Sequence, residues 1–248
     1  MITSRAALVA SRGRWPVDVD VWQVRLALSA REENCPHLDD AERARAARYR
    51  AASDRVRFAT TRSVLRELLG HYTDTSADSL RFVLSAAGKP RLPSSDAPRF
   101  NVSHSGEQAL IAVSRTREVG IDIELADAGL DWRELVGLVC TDAERAALES
   151  VPPPLQHAQF FRCWTAKEAA LKALGIGITD GLRVLTIDLD SETSVRPQAG
   201  MHPAVADANR LTCHWLDDVH GYAACVAYGP EVTKAPDLVG ATSHEVSG

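Results

Sequence analysis

The sequence lacks several features that would indicate a function by themselves. None of its five cysteines (Cys35, Cys140, Cys163, Cys213 and Cys225) forms a CxxC pair, the count is odd, and several sit among apolar neighbours. They read as reduced and mostly structural, which fits a cytoplasmic protein. No apolar run approaches the length of a membrane span. The AALVA of the N-terminal MITSRAALVASRGRW is too short for a signal peptide. There is no Walker loop and no GxGxxG, so neither a nucleoside triphosphate nor a dinucleotide cofactor is expected. No Ser-His-Asp or Cys-His arrangement stands out. An excess of positive charge is also missing: the formal net charge is -5, which argues against a general nucleic-acid binder.

What is present is an ordinary globular composition, 45% hydrophobic and 25% charged, over 248 residues. That suits one large domain or two small ones. The chain repeats itself. VDVDVW (17–22) resembles VGIDIE (119–124), and DAERA at 40–44 recurs at 142–146, both at an offset of 102 residues. TTRSVLRELLG (60–70) matches TAKEAALKALG (165–175) at an offset of 105. Three matches in one order predict a duplicated unit of about 100 residues, a usual domain size. Each copy reads as a strand, two helices, then strands. The helices rest on 3.6-residue periodicity, as in Val64, Leu65, Leu68 and Leu69, with Asp40 and Thr141 as caps. The strands LRFVL, RFNVS and ALIAV close the first copy; RVLTIDL, RLTCHW and YAACVAY close the second. The fold class expected is therefore α+β, two similar subdomains related by a pseudo-twofold, with a site where they meet. The boundaries are 1–115, 116–230 and a loose tail, 231–248.

The exceptions to the repeat carry the chemistry. Aligning the copies sets Trp22 opposite Glu124 and Ser63 opposite Glu168, while Asp20 matches Asp122. Asp122 and Glu124, two apart on a strand, leave one face. Paired carboxylates raise each other's pKa unless a cation lies between them. With Glu168 as a third oxygen ligand the set suits Mg²⁺, although an exposed strand face would give the same DxE. Glu168 and Lys172 share a helix face at i, i+4, which is also the pattern of a surface ion pair. In AAGKPRL (86–92), Gly88 permits close backbone approach, Pro90 stiffens the turn, and Lys89 and Arg91 can meet phosphate. In RFNVSHSG (99–106), Ser103, His104 and Ser105 can hydrogen-bond a ligand, or simply close a turn. Residues 43–66 carry eight arginines against one acid, Asp54; the local sign opposes the global one, so an anionic ligand and a solvated helix face are both open.

The ordered set GKP, NVSHSG, VGIDIE and WTAKEAALKALG resembles the 4′-phosphopantetheinyl transferases, in their larger monomeric type that activates peptide and polyketide synthases. The resemblance spans roughly residues 18–228, and the four motifs in order are specific. It implies a pseudo-twofold α+β fold and transfer of the phosphopantetheine arm of coenzyme A to a serine of an apo acyl or peptidyl carrier protein. Adenosine 3′,5′-bisphosphate would be released with the help of Mg²⁺ or Mn²⁺. It further implies that Asp122, Glu124 and Glu168 hold the metal, that His104 with Ser103 meets the coenzyme A phosphates, and that Gly88, Lys89, Pro90 and Arg91 line the nucleotide pocket. Lys172 would touch the reacting pyrophosphate, and Glu168 would take the serine proton directly or through a water. Arg57, then Arg45 and Arg48, would meet the 3′-phosphate; in the arginine region only the character matches. The apolar GIGITDGL (175–182) is a candidate carrier contact. Two other readings remain at this point. A Mg²⁺-dependent phosphoanhydride hydrolase would release adenosine bisphosphate without a carrier. A silent binding module would bind coenzyme A, if at all, without regard to metal.

Overall fold

The computed structural model describes residues 4–28, 35–126, 129–176, 181–190, 194–195, 198–199 and 203–232. The first half runs β1 (Ala6–Leu8), β2 (Val19–Arg25), α1 (Asp40–Ala47), α2 (Ala52–Thr73), a short hairpin of β3 (Val83–Leu84) and β4 (Pro90–Arg91), then β5 (Arg99–Ser105) and β6 (Gln108–Ser114). The second runs β7 (Val119–Leu125), α3 (Trp132–Val139), α4 (Asp142–Ser150), α5 (Pro153–Leu174), β8 (Leu185–Thr186), β9 (Ser194–Val195), β10 (Gln198–Ala199), β11 (Thr212–Trp215) and β12 (Tyr222–Tyr228).

The repeat seen in the sequence is a repeat of topology. One four-stranded sheet has the order β1-β2-β6-β5 and the other β7-β12-β11-β9, every pair antiparallel. Thus β2-β6-β5 in one copy answers to β7-β12-β11 in the other. The long helices α2 and α5 have 22 residues each, and the matching short helices α1 and α4 both open on a capping box. The fold is a duplicated α+β unit.

Strand alternation distributes the core. In β2 and β6, Trp22, Val24, Ile111 and Val113 pack under α2 with Val64, Leu65 and Leu68. The opposite faces supply Val19, Val21, Leu110 and Ala112 to a core shared with Val119, Ile121 and Ile123 of β7 and Val226 of β12. The remaining face of the second sheet packs under α5, through Cys213, Cys225 and Ala227. Side chains two apart share a face, so Gly120, Asp122 and Glu124 fall together on the α5 side of β7. All five cysteines are free and buried. Among the described residues no helix is long and apolar enough to cross a membrane.

Several local expectations are corrected. The cap of α1 is Asp39, not Asp40: the Asp39 carboxylate accepts from Glu42 N at 2.9 Å, while Glu42 returns the bond from Asp39 N at 3.0 Å. A carboxylate three residues before Glu42 closes that reciprocal pair and Asp40 cannot. The arginine run spans two helices, as the repeat predicted. It breaks between Ala47 and Ala52, where the Arg55 guanidinium donates to the carbonyls of Tyr49 and Arg50. Of LRFVL and RVLTIDL, only Val83–Leu84 and Leu185–Thr186 pair as strands. Residues 231 and 232, expected in the tail, are tied to the body: Val232 N donates to Thr116 O at 2.7 Å.

Arg66 of α2 is fully buried. Its guanidinium reaches Glu42 at 2.8 Å, Asp39 at 2.7 Å and the carbonyls of Ala77 and Leu80 at 3.0 and 3.1 Å. Removing one partner of such a pair strands a buried charge. Arg66→Met is expected to cost about 3–5 kcal/mol of stability, read from urea unfolding. A loss below about 1 kcal/mol would show that the cluster relaxes into water instead.

Candidate active site

The site lies where β5, β7 and α5 meet. β5 and β7 are edge strands of different sheets, and side chains join them. Asn101 Oδ1 accepts from Ile121 N at 2.9 Å, and Ser105 Oγ accepts from Leu125 N at 3.0 Å. These are ladder bonds with a side chain substituted for a strand, which explains the alternation Asn101, Ser103, Ser105. Ser105 is therefore spent on the seam, since its hydroxyl also donates to Glu124 at 3.0 Å. Ser103, the middle residue, donates to Asp122 Oδ1 at 2.8 Å.

α5 approaches β7 closely because of Gly120. A Cβ built there would stand 2.0 Å from Ala169 O and 2.4 Å from Ala173 N. The approach delivers Lys172 and Glu168, one turn apart, over the acidic face. Lys172 Nζ lies 2.6 Å from Asp122 Oδ1, 3.2 Å from Ser103 Oγ and 3.9 Å from Glu168. One ammonium thus faces three acids. Burial, and then the Asp122 charge, push Glu124 up to about 7. Burial raises Glu168 too, Lys172 partly offsetting it and Asp122 adding to the rise. Asp122 is 1% exposed, and its second oxygen, Oδ2, is buried with no hydrogen-bond partner.

That orphaned oxygen bears on whether the residues fit a divalent cation. The donor set is all oxygen, carries more negative charge than Lys172 offsets, and holds one acceptor with nothing to accept. It fits a hard cation such as Mg²⁺. The three carboxylates are not drawn within 4.8 Å of one another. Among the described residues the set that is so close is Cys140, Glu144 and Cys163. That set is no metal centre, because Glu144 is already taken up by Lys167 at 2.5 Å and by N–H donors from Thr141 and Ile187.

A cleft of about 310 Å³ opens beside Lys172. Arg45, Gly88, Pro90, Ser103 and His104 of the expected set line it. Gly88 makes the hairpin turn at φ +79°, a left-handed conformation that glycine tolerates. His104 sits at the mouth. Burial against the cleft wall, then the Lys172 and Arg57 charges, hold its pKa below the usual value. Lys89 lies behind this cleft. Its ammonium donates to Lys172 O at 2.8 Å and Val119 O at 3.1 Å, fastening the hairpin to α5 and β7. Lys89 and Arg91 line a second, larger cleft of about 710 Å³ that Pro90 shares. Arg57 is held by Asp54 at 2.6 Å and by Gly106 O at 2.8 Å, while Arg48 caps the C-terminus of α1; neither lines the smaller cleft.

Arg62 does line it, a residue not singled out from the sequence. Its guanidinium lies over Phe82 at 4.8 Å and over Phe58 at 5.7 Å, and Arg45 also lies over Phe58, at 5.1 Å. The Phe58–Arg62 spacing of four on α2 was the available signal. Half of the suggested carrier contact, 175–182, lies outside the described residues, at 177–180.

The corresponding place in the first copy is plugged. Asp20 accepts from the Tyr72 hydroxyl, and Trp22, opposite Glu124, donates its indole N–H to the same Tyr72 oxygen at 2.9 Å. Ser63, opposite Glu168, is wholly buried.

Residues 118–227 match the family model of the 4′-phosphopantetheinyl transferase superfamily, and residues 29–116 match that of the 4′-phosphopantetheinyl transferase N-terminal region. A Synechocystis protein provisionally named 4′-phosphopantetheinyl transferase slr0495 is 37% identical, over 72% of this chain and 77% of its own length. 4′-Phosphopantetheinyl transferase HetI of Nostoc is 36% identical, over 65% of this chain and 70% of its own. 4′-Phosphopantetheinyl transferase psf-1 of Bacillus pumilus is 30% identical, over 78% and 81%. With two matching family regions on a duplicated fold, and relatives this similar over most of their length, the chain belongs to the 4′-phosphopantetheinyl transferase family of enzymes.

Proposed function

We propose that this enzyme moves the 4′-phosphopantetheine arm of coenzyme A onto a serine of an apo acyl or peptidyl carrier protein, with release of adenosine 3′,5′-bisphosphate. The observation that carries this reading is the convergence of Lys172, Asp122 and Ser103 at the end of a cleft walled by Arg45, Arg62 and His104. A pyrophosphate laid between the cations of the wall and Lys172 would meet positive charge along its length. We extend the reading to the larger single-chain type of the family, with halves 1–115 and 116–230, acting as a monomer in the cytoplasm.

In this mechanism the serine oxygen of the carrier attacks the phosphorus that bears pantetheine, and the bridging P–O bond to the adenosine side breaks. Glu168, whose raised pKa improves it as a proton acceptor, takes the serine proton. Lys172 neutralises the leaving bisphosphate. His104 donates a hydrogen bond to a phosphate oxygen, Ser103 keeps its proton on Asp122 and holds that carboxylate and Lys172 in place, and Arg45 and Arg62, with Arg57 near the mouth, serve the 3′-phosphate. Asp122, Glu124 and Glu168 would hold Mg²⁺ or Mn²⁺, which supplies charge neutralisation to the pyrophosphate when bound. Positioning and electrostatics then suffice without a covalent enzyme intermediate.

The test is intact-mass spectrometry of a panel of apo carrier proteins incubated with coenzyme A and Mg²⁺. The expected result is the gain of one phosphopantetheine arm at a single serine, abolished by a chelator. Adenosine bisphosphate released without any carrier would instead indicate a hydrolase, and no gain on any carrier would overturn the proposal.

A further inference from the structure

The helix that presents Glu168 carries a lysine on each side of it, and only Lys172 faces the site. Lys167, the preceding residue, points about 100° away around α5 and is completely buried. Its ammonium reaches Glu144 Oε2 at 2.5 Å and donates to Val139 O at 2.7 Å. Glu144 is 1% exposed. Its Oε2 also accepts from Thr141 N at 2.6 Å, and its Oε1 from Ile187 N at 2.7 Å. One buried contact therefore joins the end of α3, the start of α4, α5 and the segment after β8. On the other side of the same turn, Ala169 O rests against Gly120. The residues before and after Glu168 are thus each fixed, to opposite faces.

From this geometry we infer that Lys167 and Glu144 form a positioning pair that sets the rotation and register of α5, and so the aim of the Glu168 carboxylate. The inference rests on the role given to Glu168 above. A buried ion pair is weak support for stability, since matched apolar residues do as well, and specificity is its better-attested use. The first copy supplies an internal comparison. Glu42 stands where Glu144 does, and Arg62 where Lys167 does. Yet there the close buried partner of Glu42 is Arg66 at 2.8 Å, while Arg62 stands off at 3.5 Å and turns to the cleft. In that copy Ser63 replaces Glu168, no carboxylate needs aiming, and the tight cation sits one turn further along. Only in the second copy is it the immediate neighbour of the acid.

The experiment compares wild type, Glu168→Gln, Lys167→Met, Lys167→Arg and the double variant Lys167→Met/Glu144→Gln, measuring the thermal midpoint together with kcat and KM for coenzyme A. Glu168→Gln tests the underlying reading: if it keeps wild-type kcat, that role fails independently of this one. With Glu168→Gln inactive, the double variant, which leaves no charge unpaired but sets an amide NH₂ against one backbone N–H and takes the donor from Val139 O, is expected to melt below wild type yet above Lys167→Met. Its kcat should fall by roughly a hundredfold, the scale of a small misplacement, at unchanged KM, and Lys167→Arg should recover part of the loss seen in Lys167→Met. A folded double variant with wild-type kcat overturns the inference, as does one that loses kcat and raises KM alike. If the double variant does not fold, Glu144→Asp decides. It keeps both charges but draws the ammonium inward by one methylene. A lowered kcat at constant KM supports the positioning role, and wild-type kcat ends it.

Discussion

Asp122→Asn is expected to lower kcat by roughly 10²–10³, the scale seen when one preorganised electrostatic group is removed, with the fold intact. The substitution is nearly isosteric on a strand whose ladder to β12 is made by backbone alone. An amide oxygen in place of Oδ1 can still accept from Ser103 and Lys172. What disappears is the charge, and with it the only buried carboxylate oxygen of the cluster that lacks a partner. In the variant, an NH₂ would take the Oδ2 position and present a donor where a cation is proposed to sit. Calorimetric titration with Mg²⁺ should show weakened binding alongside the kinetic loss. Relief of the like charge beside Glu124 should leave the melting temperature unchanged or higher, because the Asp122 charge helps to raise the Glu124 pKa. An Asp122→Asn enzyme that keeps a tenth of wild-type kcat would remove Asp122 from the machinery.

Gly120→Ala is expected to cost about 3 kcal/mol or more, the upper part of the range for overpacking a well-filled interior. The added methyl would stand 2.0 Å from Ala169 O and 2.4 Å from Ala173 N. Both are backbone atoms of a 22-residue helix, so no side chain can swing aside. Either α5 lifts from β7 or the strand bows. Each motion pulls Glu168 and Lys172 away from Asp122, so activity should fall further than the stability loss explains. For a chain of this size the melting temperature should drop by about 6–12 °C, and transfer assayed well below the new midpoint should still be severely reduced. A variant that melts and transfers as wild type would show that the two elements are less tightly seated than this.

The duplication was legible because it is written in local strings. DAERA returns with its capping glutamate, Glu42 and then Glu144, and VGIDIE repeats VDVDVW with the same alternation. Strand alternation also placed Asp122 and Glu124 on one face. Contacts that depend on a distant partner were not legible. Nothing local tells that Asn101 and Ser105 stand in for a missing strand, because their partners lie on β7, beyond a hairpin. Arg62, Arg66 and Lys167 look alike as cations on amphipathic helices, and tertiary packing alone decides that two are sealed inside while the third covers Phe58 and Phe82. Lys89 reads as a phosphate ligand from its neighbours, yet its nearest acceptors are main-chain carbonyls of β7 and α5. The break at 48–51 has no proline or glycine to announce it; Arg55, bonding two carbonyls in the link, closes it from within α2.

The phenol of Tyr72, set on Asp20 in the first copy, has a stoichiometric consequence. A pair of identical chains arranged like these halves would offer two equivalent acidic sites. Here one of the two is stoppered by an aromatic side chain and its neighbouring indole, leaving two architectural copies to one acidic cluster. The stoppered half is thereby released from keeping an acidic cluster of its own, and the side chains it lends to the shared cleft, Arg45 and Arg62 among them, can diverge from their counterparts.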